Sequence, residues 1–167
     1  PLNTKINEGP MAYDSLTGTL FITRNDPDHR KNRDKSARRG LNRLQIDVFM
    51  RENDHWVAGE KLPINNARYA VGHPALSPDG KTLYFSSDMP GGFGGADLYV
   101  VSRGESGWGQ PMNLGAGINT SGNELFPYMD AASQLYFASD GHVGLGGLDV
   151  FMVARTGSGA WGRVQNL

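Results

Sequence analysis

No cysteine occurs among the 167 residues, which excludes disulfides, a thiolate nucleophile and every cysteine-based zinc site. No apolar run approaches the ~20 residues that a helical membrane span requires. Neither sign of charge dominates. Sixteen Lys and Arg stand against 17 Asp and Glu, a net of −1, so the whole chain makes no case for nucleic acid or an anionic membrane surface. No secretory leader is read at the start, and the first residue is Pro1 rather than Met, so we expect a piece of a longer protein whose targeting information lies elsewhere.

What abounds is turn chemistry. The 23 Gly and 9 Pro make up about a fifth of the chain, against a typical sum of roughly 12%. Many short strands are therefore expected.

An internal repeat organises them. HPALSPDGKTLYFSSDMPGGFGGADLYVVSR (73–103) aligns with FPYMDAASQLYFASDGHVGLGGLDVFMVAR (126–155), and a degenerate copy runs from GPMAYDSLTGTLFITR (9–24) to LQIDVFMR (44–51). The anchors are Pro10, Pro74 and Pro127, then Phe21, Phe85 and Phe137, then Asp47, Asp97 and Asp149, then Trp56, Trp108 and Trp161. Successive tryptophans lie 52 and 53 residues apart, and each precedes a leucine by six residues: Leu62, Leu114 and Leu167. At the start, Leu2 and Ile6-Asn7 mimic Leu114 and Ile118-Asn119.

Each period reads as four short antiparallel strands, with Ser77-Pro78-Asp79-Gly80 as a tight turn between the first two. Four such strands in about 50 residues describe a propeller blade. The expected fold is therefore all-β, with three four-stranded antiparallel blades at about 8–66, 67–120 and 121–167. Propellers close with roughly 4 to 8 blades. Two assemblies are thus expected: an arc of a larger propeller, or a homodimer that completes a six-bladed ring.

The first copy departs from the others. Phe21 and Asp47 are 26 residues apart where the later pairs are 12 apart, so an insertion falls at about 26–40 and is expected to be a loop. Residues 24–43 hold eight Arg and Lys against three Asp, a net of +5, leaving −6 for the rest. Arg30, Lys31, Arg33, Arg38 and Arg39 are candidate contacts for an acidic partner. Nucleic acid is not expected, because no aromatic side chains interleave the charges.

The remaining motifs read as architecture. Gly91–Gly95 and Gly144–Gly147 precede strands, not helices, and carry no phosphate-binding Lys-Ser/Thr, so they are tight connections. Asp47, Asp97, Asp149, Asp88 and Asp140 are expected to hold those turns through backbone N–H groups. His29, His55, His73 and His142 show no ligand spacing, and no Gly-x-Ser-x-Gly elbow exists, so no metal, cofactor or catalytic residue is assigned. His142 is expected on a surface turn. Tyr84, Phe85, Tyr99, Tyr136, Phe137 and Phe151 are expected core, whereas Phe93, between glycines, is a candidate pocket filler or exposed contact residue. Glu8, His73 and Glu124 precede the first strands and are candidates to face one mouth of a central channel.

The segments HPALSPDGKTLYFSSDMPGGFGGADLY and LYFASDGHVGLGGLDVF, with Asn7-Glu8-Gly9-Pro10, resemble the WD-repeat-like propeller repeats of bacterial outer-membrane proteins. In those proteins the blades accompany tetratricopeptide repeats and an OmpA-like domain, and one member serves type IX secretion. The resemblance implies a non-enzymatic scaffold for envelope proteins, periplasmic and held at the outer membrane. Peptidoglycan would be reached only through a domain this sequence does not hold. The alternative expectation is a glycan-binding or enzyme-associated propeller, built on a carboxylate pair such as Glu8 and Glu124.

Overall fold

The computed structural model describes residues 2, 8–25 and 43–167, so the basic insertion, with Arg30, Lys31, Arg33, Arg38 and Arg39, lies outside the described residues. Within them the chain forms thirteen strands in three antiparallel sheets and no helix. Sheet 1 runs β1 (Glu8–Asp14), β2 (Thr19–Asn25), β3 (Leu44–Glu52) and β4 (His55–Ala58) in spatial order. Sheet 2 runs β5 (Val71–Leu76), β6 (Thr82–Ser87), β7 (Asp97–Gly104) and β8 (Gly107–Trp108), with β9 (Met112–Asn113) also paired to β7. Sheet 3 runs β10 (Glu124–Met129), β11 (Leu135–Ser139), β12 (Asp149–Val153) and β13 (Gln165–Asn166). Each sheet is an open row of strands; none closes on itself.

The turn read at Ser77–Gly80 forms as its residues demand. Asp79 accepts hydrogen bonds from the Ser77 hydroxyl (2.5 Å) and the Lys81 N–H (3.0 Å), and Gly80 takes the φ of +68° that a side chain disfavours.

The core lies between the sheets. Phe21, Ile46 and Val48 of sheet 1 meet Leu83, Phe85, Tyr99 and Val101 of sheet 2. Tyr84, Leu98 and Val100, on the opposite face of sheet 2, meet Leu135, Phe137, Phe151 and Val153 of sheet 3. Sheet 2 is therefore apolar on both faces, and its strands read as near-continuous hydrophobic runs. A smaller cluster of Leu20, Ile22 and Phe49 sits on the far face of sheet 1 under Leu2 and Trp56. The connecting segments plug the two seams, Leu62 and Ile64 at the first, Leu114 and Ile118 at the second.

Hydrogen bonding fixes which residues of the sheets correspond. Phe21 pairs with Ala12 and Val48, as Tyr84 pairs with Ala75 and Val100 and Tyr136 pairs with Tyr128 and Met152. The counterpart of Phe85 and Phe137 is thus Ile22, and Phe21 belongs one residue away from its expected place. Similarly, Gln45 pairs with Arg24 where Asp97 pairs with Ser87 and Asp149 with Ser139, so Asp47 is not the counterpart of those aspartates. Because side chains alternate across a strand, a one-residue slip exchanges the two faces. The slip explains why Phe21 faces sheet 2 while Phe85 faces back toward sheet 1.

The asparagines confirm this register independently. The Asn65 amide donates to the Ile46 carbonyl (2.8 Å) and accepts from the Ile46 N–H (3.0 Å); Asn119 does the same to Leu98 (3.0 and 2.8 Å). Each side chain imitates a strand at the third strand of the sheet before it. The tryptophans keep their phase: Trp108 stands edge-on to Phe21 of sheet 1, and Trp161 edge-on to Tyr84 of sheet 2.

Candidate functional site

The first strands of the three sheets, β1, β5 and β10, lie side by side. Each contains a bulge at its proline. The register skips between Glu8 and Met11, between Gly72 and Ala75, and between Leu125 and Tyr128, leaving Pro10, Pro74 and Pro127 in the skipped turns. Proline has no N–H to offer a ladder, and a bulge is the place a strand tolerates it. The cost appears one residue earlier. His73 (φ +54°) and Phe126 (φ +53°) are both left-handed, a conformation that side chains avoid and that a following proline makes harder.

The two strained residues hold each other. Their rings stack at 4.1 Å between centroids and 19° between planes. The His73 N–H donates to the Thr23 hydroxyl oxygen (2.9 Å), and Nδ1 of His73 accepts a long contact from the Phe126 N–H (3.4 Å). Accepting at Nδ1 requires that nitrogen to be unprotonated. Burial agrees, holding the His73 pKa below its ordinary value by penalising the charged ring.

The surface so formed is a groove of about 340 Å³ lined by Pro10–Tyr13, His73–Leu76 and Phe126–Met129. Among the described residues no charged side chain lines it. Met11, Tyr13, Phe126 and Tyr128 are all about half exposed or more (61, 51, 47 and 62%). Two other hollows differ in kind. One of about 620 Å³ follows the third strand of sheet 1 and the segment 58–67, and one of about 500 Å³ lies between His142, Phe151 and residues 163–166.

The expected channel-mouth trio does not assemble. Glu124 is fully buried, and its carboxylate accepts from the Thr120 N–H (2.9 Å), the Thr120 hydroxyl (2.6 Å) and the Ser139 hydroxyl (2.7 Å). It has no surface to offer a partner, which corrects its place among the candidate contacts. Glu8 lies 3.7 Å from Arg24, whose guanidinium also reaches Asp47 (3.6 Å) and the Leu2 carbonyl and covers the Phe49 ring. Of the trio only His73 reaches the groove. Phe93 is half exposed on its glycine loop, far along the chain from the groove-lining residues.

Asp97 and Asp149 hold their glycine loops as expected, whereas Asp47 accepts from the Gln45 side chain (2.6 Å) and faces Arg24. Asp97 is buried and accepts from the N–H groups of Phe93 (2.6 Å) and Gly94 (3.2 Å), and Asp149 accepts from Gly146 (3.2 Å). Asp140 accepts from the Asn123 side chain (2.9 Å) and N–H (2.6 Å), bonds that hold its pKa below the usual carboxylate value. His142 departs from the expected surface turn: its Nε2 meets the Ile118 carbonyl at 2.7 Å and its ring packs on Phe137 and Phe151. Among the described residues no group of three His, Asp or Glu could hold a metal ion.

No family model and no curated protein matches the chain. A solved structure, described as that of a Mycobacterium tuberculosis puromycin-hydrolyzing peptidase, aligns over 97% of the chain at 17% identity with a TM-score of 0.49. The chain spans 23% of that peptidase chain. These findings overturn two expectations. The likeness to WD-repeat-like propellers of OmpA-type envelope and type IX secretion proteins is not upheld, since no family model and no curated protein matches. The expectation of a non-enzyme is not upheld either: the aligned structure is described as that of a peptidase. A likeness this weak transfers no catalytic residue to this chain.

Proposed function

We propose that the chain is a protein-interaction module in which the three sheets stand as blades around their first strands, and that the groove over β1, β5 and β10 receives an extended, uncharged, proline-containing segment of its partner. The observation that carries this reading is the exposure of Met11, Tyr13, Phe126 and Tyr128 in one uncharged groove. Large apolar side chains gathered on a surface mark a place where another molecule sits. Aromatic-lined grooves suit polyproline-type segments, which are already extended and lose little entropy on docking. The blade arrangement is supported by the repeated register, the side-by-side first strands and the tryptophan at the same place in each repeat.

Titrating the protein with decaproline, read by amide shifts in a two-dimensional NMR spectrum, tests the reading. Saturable shifts confined to residues 10–13, 73–76 and 126–129 are expected, with at least a tenfold loss of affinity in the Tyr13→Ser, Tyr128→Ser double variant. Shifts elsewhere, or none at millimolar peptide, would remove the groove from the model; a response to a neutral oligosaccharide in place of the peptide would reassign it to glycan.

A further inference from the structure

Backbone donors run short where the three bulges line the groove. Pro10, Pro74 and Pro127 have no N–H to offer. The N–H groups just before two of them are already committed, that of His73 to the Thr23 hydroxyl oxygen (2.9 Å) and that of Phe126 to Nδ1 of His73 (3.4 Å). Among the described residues, the groove side chains that carry an N–H or O–H are Tyr13, His73 and Tyr128.

Of these three the imidazole is held most firmly. Its backbone is tied to Thr23, its face lies on the Phe126 ring at 4.1 Å, and its Nδ1 edge faces the Phe126 N–H. Tyr13 and Tyr128 are more than half exposed, and a phenol hydroxyl turns to suit whatever approaches it. Because Nδ1 accepts, the neutral ring carries its proton on Nε2. Among the described residues Nε2 has no hydrogen-bond partner, and it is not one of the buried side-chain atoms left without one, which are Arg24 Nε and Ser86 Oγ. The Nε2–H group is therefore a fixed donor open to the groove.

The bulge itself does not demand this ring. The residue before the proline is Gly9 in sheet 1, His73 in sheet 2 and Phe126 in sheet 3. A glycine would take the φ of +54° at position 73 without strain, yet sheet 2 keeps a side chain there. Strain held in a cleft points to a use for the side chain that causes it.

We propose that His73 Nε2–H donates to the carbonyl oxygen of a tertiary amide, the prolyl imide of the bound segment, and so makes the groove select a chain that brings no N–H of its own. The proposal rests on the reading of the groove as a docking site for a proline-containing segment. A tertiary amide supplies an acceptor and no donor, so it leaves nothing unsatisfied against a groove whose described lining holds no carboxylate. A secondary amide would enter with an N–H that must give up water, and that penalty separates the two classes of ligand. A donor already fixed by its neighbours loses little freedom when it is used.

Long-range proton–nitrogen correlation spectra of the imidazole test this in the intact protein near neutral pH, alone, with N-acetylpyrrolidine, and with decaproline. The free His73 ring is expected in its Nε2–H form, and both probes are expected to move the Nε2 resonance saturably. His73→Phe keeps a ring against Phe126 and removes the donor, so it is expected to weaken decaproline binding by about tenfold or more. An Nδ1–H ring, or a folded His73→Phe variant that binds decaproline undiminished, would overturn the proposal. Decaproline shifts at residues 10–13 and 126–129 with Nε2 unmoved would overturn it too, while leaving the groove as the docking site. The opposite result, N-acetylpyrrolidine moving Nε2 while decaproline moves nothing, would uphold the donor and remove the proline segment from the groove. Silence from both probes would overturn both readings.

Discussion

Glu124 shows how a single charged side chain can be spent on architecture. Its carboxylate satisfies three donors from two segments, Thr120 before the strand and Ser139 across it, so its loss unpairs several groups at once. Breaking a buried, hydrogen-bonded charge cluster from one side costs on the order of 3–5 kcal/mol. Glu124→Ala is therefore expected to lower the unfolding free energy in urea by about that much, while Glu8→Ala, at the equivalent place in sheet 1, should cost less, because Glu8 is exposed and its carboxylate is not taken out of water. His73 makes a different prediction. Burial sets its folded pKa below the ordinary 6.5, so between the two values the unfolded chain binds more protons than the folded one. Stability is then complete above about pH 6.5 and is lost as the pH falls through that window; protonation also removes the Nδ1 acceptor that faces the Phe126 N–H. The urea midpoint of the intact protein should fall further between pH 7.5 and 5.5 than that of His73→Asn. Equal falls would place the acid sensitivity at another group.

At the scale of elements, the glycine loop of sheet 2 is a docking surface made of backbone, which makes its glycines unequal. A Cβ on Gly94 would lie 2.4–2.6 Å from backbone atoms of Gly122, Thr120 and Ser121, none of which can rotate away. Gly117 has nothing within 4 Å and an ordinary φ. Gly94→Ala is expected to destabilise the protein by about 2 kcal/mol or more through forced separation of the seam. Gly117→Ala should be neutral or stabilise it by roughly 0.4–1 kcal/mol through the unfolded chain. Reversed or equal urea midpoints would show that the loop does not bear on the seam. The same scale separates what could be read in the sequence from what could not. Strand content, turn positions, the roles of Asp97 and Asp149 and the tryptophan phase were legible because each rests on local chemistry that recurs between copies. The strand register was not: sheet 1 carries its bulge and hairpin one residue out of step with sheet 2, so aligning Phe21 with Phe85 by residue type chose the wrong face. The groove escaped for a related reason. Tyr13 and Tyr128 have the look of core residues, and only the side-by-side placement of three first strands shows that their faces meet solvent. Glu124 carried a signal in the repeated Asn-Thr-x-x-Asn-Glu spacing, which a carboxylate bonded to the Thr four residues before it produces.

Across the whole molecule, stability is expected to be shared between neighbours rather than spread evenly. Sheet 1 and sheet 3 bury their apolar residues in two separate clusters, and both clusters draw on sheet 2, one on each of its faces. Such a stack behaves as a short one-dimensional array in which each seam holds only the units beside it. Leu135 in sheet 3 and Leu83 in sheet 2 are counterparts, both fully buried, but Leu83 belongs to the first seam and Leu135 to the second. Either Leu→Ala change should cost about 2–5 kcal/mol locally. The distribution of that loss is the test, read by native-state hydrogen exchange. Leu135→Ala is expected to speed exchange in β10–β12 and leave β2 and β3 at their original protection, because sheet 3 can open while the first seam stays packed. Leu83→Ala should raise exchange in sheets 1 and 2 together, since it loosens the seam that joins them. A uniform rise throughout the chain in both variants would mean that the three sheets unfold as one unit, with sheet 2 transmitting the loss at one seam to the other.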